Sequence, residues 1–246
     1  MNYSVAELMA VVLSRRLREG DVMVTGTNAG ITCSAALVAR ACGRPRVRTI
    51  IGAFGTVDPT VELVPASGAD QSFLPGRVVT DLISTLGDQV RGLADVICLG
   101  GLQVDRDGRV NLAVVGDYSR PDLRGPGTIG VSLIARLERT FLYFTEHDPR
   151  TFVERVDFVG AQGLRPGGRG LEVIVTPMAV LGPVEDGSRI DLVSIHAGFD
   201  FEQVQARTGF ALDPSRAVVT EPPSEEELAA LRGHPYGMSL ATMTLG

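Results

Sequence analysis

The chain has 246 residues, of which 44% are hydrophobic and 21% charged, enough to bury a sizeable core as one large domain. A net charge of −6 without a basic cluster argues against a nucleic-acid partner, and no apolar run is long enough to span a membrane. The 23 basic residues are all arginine, which excludes lysine Schiff-base chemistry, and three scattered cysteines exclude a disulfide framework.

Ser4 opens the first helix. Glu7 stands at capping-box spacing, and Val5, Leu8, Met9, Val12, Leu13 and Leu17 repeat at helical intervals up to a stop at Gly20. Val22 to Thr25 reads as a short apolar strand. Gly26-Thr27-Asn28-Ala29-Gly30 then turns into a second helix through Ser34, Leu37, Val38 and Ala41. Val47 to Ala53 is an expected buried strand, and residues 54 to 76 an expected long loop. Helical spacing returns from Val78 to Leu86, and Ala94 to Leu99 is the next strand. Asp105 to Gly108 is a hairpin-type turn between two short strands. A second Gly/Pro-rich loop is expected over Arg120 to Gly130, then a helix over Val131 to Arg139 and an alternating strand over Thr140 to Thr145. Gly160 to Gly170 reads as a surface loop, and Ser224 with Glu227 forms another capping box. The rhythm predicts an α/β fold, an open and mostly parallel sheet with flanking helices, in one domain over residues 1–246.

Three loops follow expected buried strands: Gly26–Gly30, Ala53–Pro59 and Arg124–Gly130. Ligands of open α/β sheets bind at the carboxyl ends of strands, where such loops gather. Gly127-Thr128-Ile129-Gly130 opens the expected helix, so its amides could hold an anion or a thioester oxygen; the other reading is that these glycines only permit tight turns. Asn28 is either a ligand contact or a helix cap. Asp105 and Asn111 flank a turn and read as turn chemistry. His147 beside Asp148 has the look of half an acid–base pair, but no serine stands in a nucleophile elbow to join it. Cys98 reads as an inert buried thiol. The cysteines (Cys33, Cys42, Cys98) and histidines (His147, His196, His234) lack metal-ligand spacing, and a reducing cytoplasm is the simplest compartment.

Several motifs in common order resemble the B (beta) subunits of glutaconate-type, family I CoA-transferases: Thr27-Asn28, Gln103 to Asn111, Arg124 to Gly130, His147 with Arg150, Phe152 to Phe158, Asp191 to Phe199, and Thr208-Gly209-Phe210. The resemblance runs from about residue 4 to residue 232. It implies a CoA-transferase or NagB-like fold, an A (alpha) subunit as partner in a heterodimer or heterotetramer, an acyl-CoA substrate, and no cofactor besides the coenzyme A that the substrate carries. Ile129 replaces one glycine of the family's loop motif at Arg124 to Gly130, and the chain departs from the transferase pattern at the third strand. That pattern has Glu-x-Gly there, and its glutamate carries CoA as a glutamyl thioester. Here the residues are Ala53-Phe54-Gly55-Thr56-Val57, and alanine cannot attack a thioester. The resemblance is therefore greatest to members that have left transfer behind, such as a decarboxylase of 3-methylglutaconyl-CoA; the alternatives are a steroid ring-opening hydrolase subunit, a conventional transferase subunit whose nucleophile lies elsewhere or on the partner, and a non-catalytic subunit that completes the partner's acyl-CoA pocket. Expected catalytic positions are Ala53, Phe54, Gly55 and Thr56. Expected substrate contacts are Asn28, Gln103, Gly127, Thr128 and Gly130.

Overall fold

The computed structural model describes residues 2–26, 30–51, 56–59, 76–79, 84, 87, 91–92, 94–128, 137–165 and 169–245, with backbone alone at 56–57, 59, 76–79, 169 and 236. They form two compact units, one from residues 1–98 with 222–245 and one from residues 99–221.

The first unit opens with helix α1 (Val5–Arg16). Ser4 Oγ accepts from the Glu7 amide and the Glu7 carboxylate accepts from the Ser4 amide, the expected capping box. The helix closes at Leu17, before Gly20, whose φ of +89° serves the following turn. Met9 and Leu13 are fully buried, worth about 1.5–3 kcal/mol each in transfer energy. Strand β1 (Val22–Thr25) leads to helix α2 (Gly30–Ala41) and strand β2 (Arg48–Ile51), and β5 (Val96–Leu99) lies on the other side of β1. Both neighbours of β1 are parallel to it, Val22 opposite Arg48 and Met23 opposite Val96. Ala35, Ala36, Val38 and Ala39 of α2 are fully buried, and their small side chains let α1 and α2 pack closely. Helices α3 (Glu225–Arg232) and α4 (Pro235–Leu240) also pack on α2. Two ion pairs tie α3 to α1: Glu7 Oε1 to Arg232 Nε at 2.7 Å, and Arg15 Nε to Glu227 Oε1 at 2.9 Å.

The expected loop at 54–76 and the helix at 78–86 are partly corrected. Thr56–Pro59 is strand β3 and Gly76–Val79 is strand β4, both antiparallel additions to the parallel core. Helical backbone is found at Ser84 and Gly87. Asp58, at φ +46°, is held there by its carboxylate, which accepts from Arg48 Nη1 at 2.6 Å and the Thr49 amide at 2.9 Å and faces Arg40 Nη1 at 3.3 Å.

In the second unit β10 (Arg139–Tyr143) runs parallel to β12 (Arg169–Val175), and β13 (Ala179–Pro183) and β14 (Ile190–Ile195) add antiparallel strands. Strand β15 (Val218–Val219) closes that edge in parallel. The core is built from Phe141, Leu142, Leu171 and Ile174, all at most 1% exposed. The turn at Asp105–Gly108 joins β6 (Gln103–Val104) to β7 (Val110–Asn111), with Gly108 at φ +71° as expected. A second hairpin, β8 (Val114–Gly116) with β9 (Pro121–Arg124), occupies part of the expected loop at 120–130. Most of the expected helix at 131–139 lies outside the described residues, and Arg139 itself begins β10.

The surface loop expected over Gly160–Gly170 is corrected for the described residues 160–165 and 169–170, which pair with strands; residues 166–168 lie outside the described residues. The Ala161 amide donates to Val110 C=O, the Leu171 amide donates to Gly163 C=O, and Leu164–Arg165 forms strand β11 against β12. Each unit thus carries the parallel core pairs and flanking helices or hairpins of the expected α/β class, extended by antiparallel strands. Among the described residues no helix is long and apolar enough to cross a membrane.

Candidate functional site

Ala53, Phe54 and Gly55 of the expected catalytic segment, and the expected substrate contacts Asn28 and Gly130, lie outside the described residues. Thr56 is placed by its backbone, in register opposite Ile51 of β2 and Val79 of β4. At the carboxyl end of β1, Thr25 and Thr32 are buried and share a short hydroxyl hydrogen bond. Cys98, at the equivalent end of β5, is fully buried, and burial pushes its thiol up, so it is an inert thiol as expected.

The described site groups converge in the second unit around Asn111. Its Nδ2 donates to Gln103 Oε1 at 2.7 Å and to Val114 C=O at 2.6 Å, and its Oδ1 accepts from the Ala113 amide at 2.9 Å and the Val114 amide at 3.2 Å. Gln103 Oε1 also accepts from the Asp157 amide at 3.0 Å, and Gln103 Nε2 donates to Asp157 Oδ2 at 2.9 Å. Asp157 Oδ2 accepts from the Gly116 amide at 2.9 Å. Gln103, expected at the substrate, is 4% exposed and knits the two hairpins together. Asp105, fully buried, accepts from the amides of Asp107, Arg109 and Val156. The turn chemistry expected of Asp105 and Asn111 is extended onto the 156–157 segment, 51 residues from Asp105 by the Val156 amide and, through Gln103, 54 residues by the Asp157 amide.

The glycine loop rests on this knot. The Gly125 amide donates to Ala113 C=O at 2.9 Å and the Gly127 amide to Leu112 C=O at 3.1 Å. A Cβ on Gly125 would stand 2.3 Å from Leu112 O, so the close approach requires glycine. Gly127 takes φ +89°, the left-handed region, with open space where a Cβ would point. Because its amide is engaged by Leu112, Gly127 supplies shape to the loop, and Thr128 beside it is exposed.

His147 and Asp148 do not form the expected pair. Asp148 instead accepts from the Arg150 and Thr151 amides and the Arg150 guanidinium. Burial pushes the Asp148 carboxyl up, but Arg150 and those amides outweigh it and the net shift is down. His147 is 1% exposed and stacks on Phe152 with centroids 4.3 Å apart. Its Nδ1 meets Thr176 Oγ1 at 2.8 Å and its Nε2 meets Thr208 Oγ1 at 3.0 Å. His196, 2% exposed, donates from Nε2 to Thr176 C=O at 2.9 Å, since a carbonyl only accepts. Its Nδ1 then accepts from the Thr220 hydroxyl at 2.8 Å, which in turn accepts from Ser194 Oγ at 2.7 Å.

Burial pulls both imidazoles down to about 4, helped at His147 by the charge of Arg207. The motif segments that sequence separates therefore meet in a neutral, buried hydrogen-bonded chain. No sequence signal pointed to Thr176, which lies 29 residues from His147. Among the described residues no cluster of His, Cys, Asp and Glu is arranged to hold a metal.

Known proteins share this fold. The coenzyme A transferase family profile matches residues 89–207. The B subunit of 3-oxoadipate CoA-transferase from Pseudomonas knackmussii is 32% identical over 246 aligned residues, covering 94% of this chain and 92% of that one. The chain belongs to the coenzyme A transferase family, among its B subunits. Glutaconate CoA-transferase from Acidaminococcus fermentans has a crystal structure that superimposes with a TM-score of 0.85 at 26% identity, covering 99% of this chain and 98% of that one. The crystal structure of the decarboxylase AibA/AibB superimposes with a TM-score of 0.82 at 25% identity, covering 98% of this chain and 100% of that one.

Proposed function

We propose that this chain is the B subunit of a heteromeric acyl-CoA decarboxylase that converts 3-methylglutaconyl-CoA to 3,3-dimethylacrylyl-CoA. Its partner is an A-type subunit, in a heterodimer or heterotetramer, and the enzyme works in the cytoplasm. The observation that carries the reading is Ala53, with Phe54, Gly55 and Thr56, where the transferase pattern has its nucleophilic glutamate. The likeness to a decarboxylase of the same fold supports it.

The substrate contains its own electron sink. The bond from the γ-carbon to the carboxylate breaks and CO₂ leaves. The electron pair passes through the double bond to the thioester oxygen, giving a dienolate. A proton then adds at the γ-carbon, restoring the thioester carbonyl and forming the second methyl group. The breaking bond must stand perpendicular to the π-system, a matter of positioning, and the developing oxyanion needs preorganised donors. The small residue types at Ala53 and Thr56 would make room for substrate where the transferase pattern has its glutamate. Amides of the loop from Gly127 to Gly130 are the proposed donors to the oxygen; the Gly127 amide itself is engaged by Leu112 C=O. Coenzyme A enters as part of the substrate, and no metal or further cofactor takes part.

The transferase reading has support of its own, the 32% identity to a 3-oxoadipate CoA-transferase subunit and a likeness to glutaconate CoA-transferase as good as that to the decarboxylase, and needs a nucleophilic carboxylate elsewhere, Glu62 or a residue of the partner. Borohydride trapping after acyl-CoA treatment separates the two readings. Intact mass unchanged on both chains is the outcome expected here. A reduced glutamyl thioester on either chain establishes transfer.

A further inference from the structure

We infer that Asn111 is a positioning residue whose side chain sets the shape of the glycine loop Gly125–Thr128. The inference rests on the proposed use of that loop at the acyl thioester, but its geometry is independent of which reaction follows. Asn111 is fully buried, and its amide makes four hydrogen bonds within the second unit. Three of them fold residues 113–114 back over the side chain as an Asx-type turn. That turn aims the carbonyls of Leu112 and Ala113 at the loop, and those carbonyls accept the Gly127 and Gly125 amides. The fourth bond, to Gln103 Oε1, anchors the turn to Asp157, which grips the start of the next hairpin turn through the Gly116 amide. The three side-chain acceptors of this knot, Asn111 Oδ1, Gln103 Oε1 and Asp157 Oδ2, each serve two donors, which couples its members. A buried network of this kind holds one geometry and loses it when a member is removed.

Asn111 and the loop are joined through backbone atoms alone. Asn111 thus acts on the chemistry at second hand, and its removal should alter how fast bound substrate reacts more than how tightly it binds. An oxyanion donor that has moved loses transition-state stabilisation while ground-state contacts to the nucleotide remain.

The test is hydrogen–deuterium exchange on the co-expressed A/B pair, with Asn111→Ala beside the unchanged protein, together with steady-state kinetics on 3-methylglutaconyl-CoA. Amides over 112–128 should exchange at least about tenfold faster while those over β12 and β13 hold their rates. Turnover should fall about tenfold or more in kcat, with KM within about twofold. Unchanged exchange over 112–128, or an equal rise across β12 and β13, overturns the inference. A loosened loop with kcat intact also overturns it, since the loop would then not serve the reacting oxygen. If the pair with Asn111→Ala does not assemble, Asp157→Ala carries the same test, because Asp157 reaches the knot from an exposed position. It should loosen 112–128 about threefold, and no loosening overturns the inference. Should the unchanged pair transfer CoA instead of releasing CO₂, the decarboxylase reading fails while the exchange result stands.

Discussion

Acid should loosen this protein through two histidines. His147 and His196 are buried and neutral, each lowered to about 4 from an ordinary value of 6.5. The unfolded chain takes up protons first as pH falls, so stability is complete above about pH 6.5 and is lost progressively towards pH 4. Between pH 8 and pH 5, a histidine with these two values costs about 2 kcal/mol. The two sites are not equal. His147, Thr176 and Thr208 carry one proton each when the imidazole is neutral. They stand at four contacts: two to the imidazole, one to Ala179 C=O and one to Val204 C=O. A second imidazole proton would complete the fourth bond, which works against the burial cost at His147. His196 has no such shortage, since its neutral form already satisfies Thr176 C=O and Thr220. Most of the loss therefore belongs to His196. The assay is urea unfolding of the A/B pair at pH 8 and pH 5, for the unchanged protein, His196→Gln and His147→Gln. Glutamine can donate and accept at similar reach but does not titrate. His196→Gln should remove more than half of the acid-induced shift in midpoint and His147→Gln less. An equal shift in His196→Gln and the unchanged protein would refute the reasoning.

Other predictions follow from single contacts. Gly125→Ala puts a methyl group 2.3 Å from Leu112 O, and thermal unfolding should show a loss of about 3 kcal/mol. Asp58→Ala removes the acceptor shared by Arg48 and the Thr49 amide and leaves alanine at φ +46°, for about 1–2 kcal/mol, whereas Asp58→Asn should lose less because it keeps an acceptor and tolerates that φ. Arg232→Ala leaves the Glu7 carboxylate buried without its guanidinium. Its unfolding midpoint should fall further than that of the double variant Glu7→Gln with Arg232→Ala, and the reverse order would count against a buried-charge cost.

Local chemistry was the legible part of the fold. The capping boxes at Ser4 and Ser224 and the turn at Gly108 follow from residues within four positions of each other, and each is present. Strands β3, β9 and β11 are two to four residues long and antiparallel, set in Gly/Pro-rich sequence. Such short pieces carry no usable period, and pairing with a distant strand decides them. Leu164–Arg165 is a strand because Arg169 and Gly170 stand opposite it.

The site divides in the same way. Gly127 and Gly125 could be read as loop glycines, and the loop is where they are. Gln103 was legible as important but not as structural, because its partner Asp157 lies 54 residues away. His147 invited pairing with its neighbour Asp148, yet the sheet delivers Thr176 and Thr208 to its two nitrogens. The missing glutamate at Ala53 was legible because it is a fact of sequence alone.

The central claim is that substrate loses CO₂ while CoA stays attached. The co-expressed A/B pair should be incubated with 3-methylglutaconyl-CoA, with and without acetate, and the products resolved by mass. The account predicts 3,3-dimethylacrylyl-CoA in both reactions, at the same rate. Acetyl-CoA appearing with acetate, alongside free 3-methylglutaconate of intact carbon count, would contradict it.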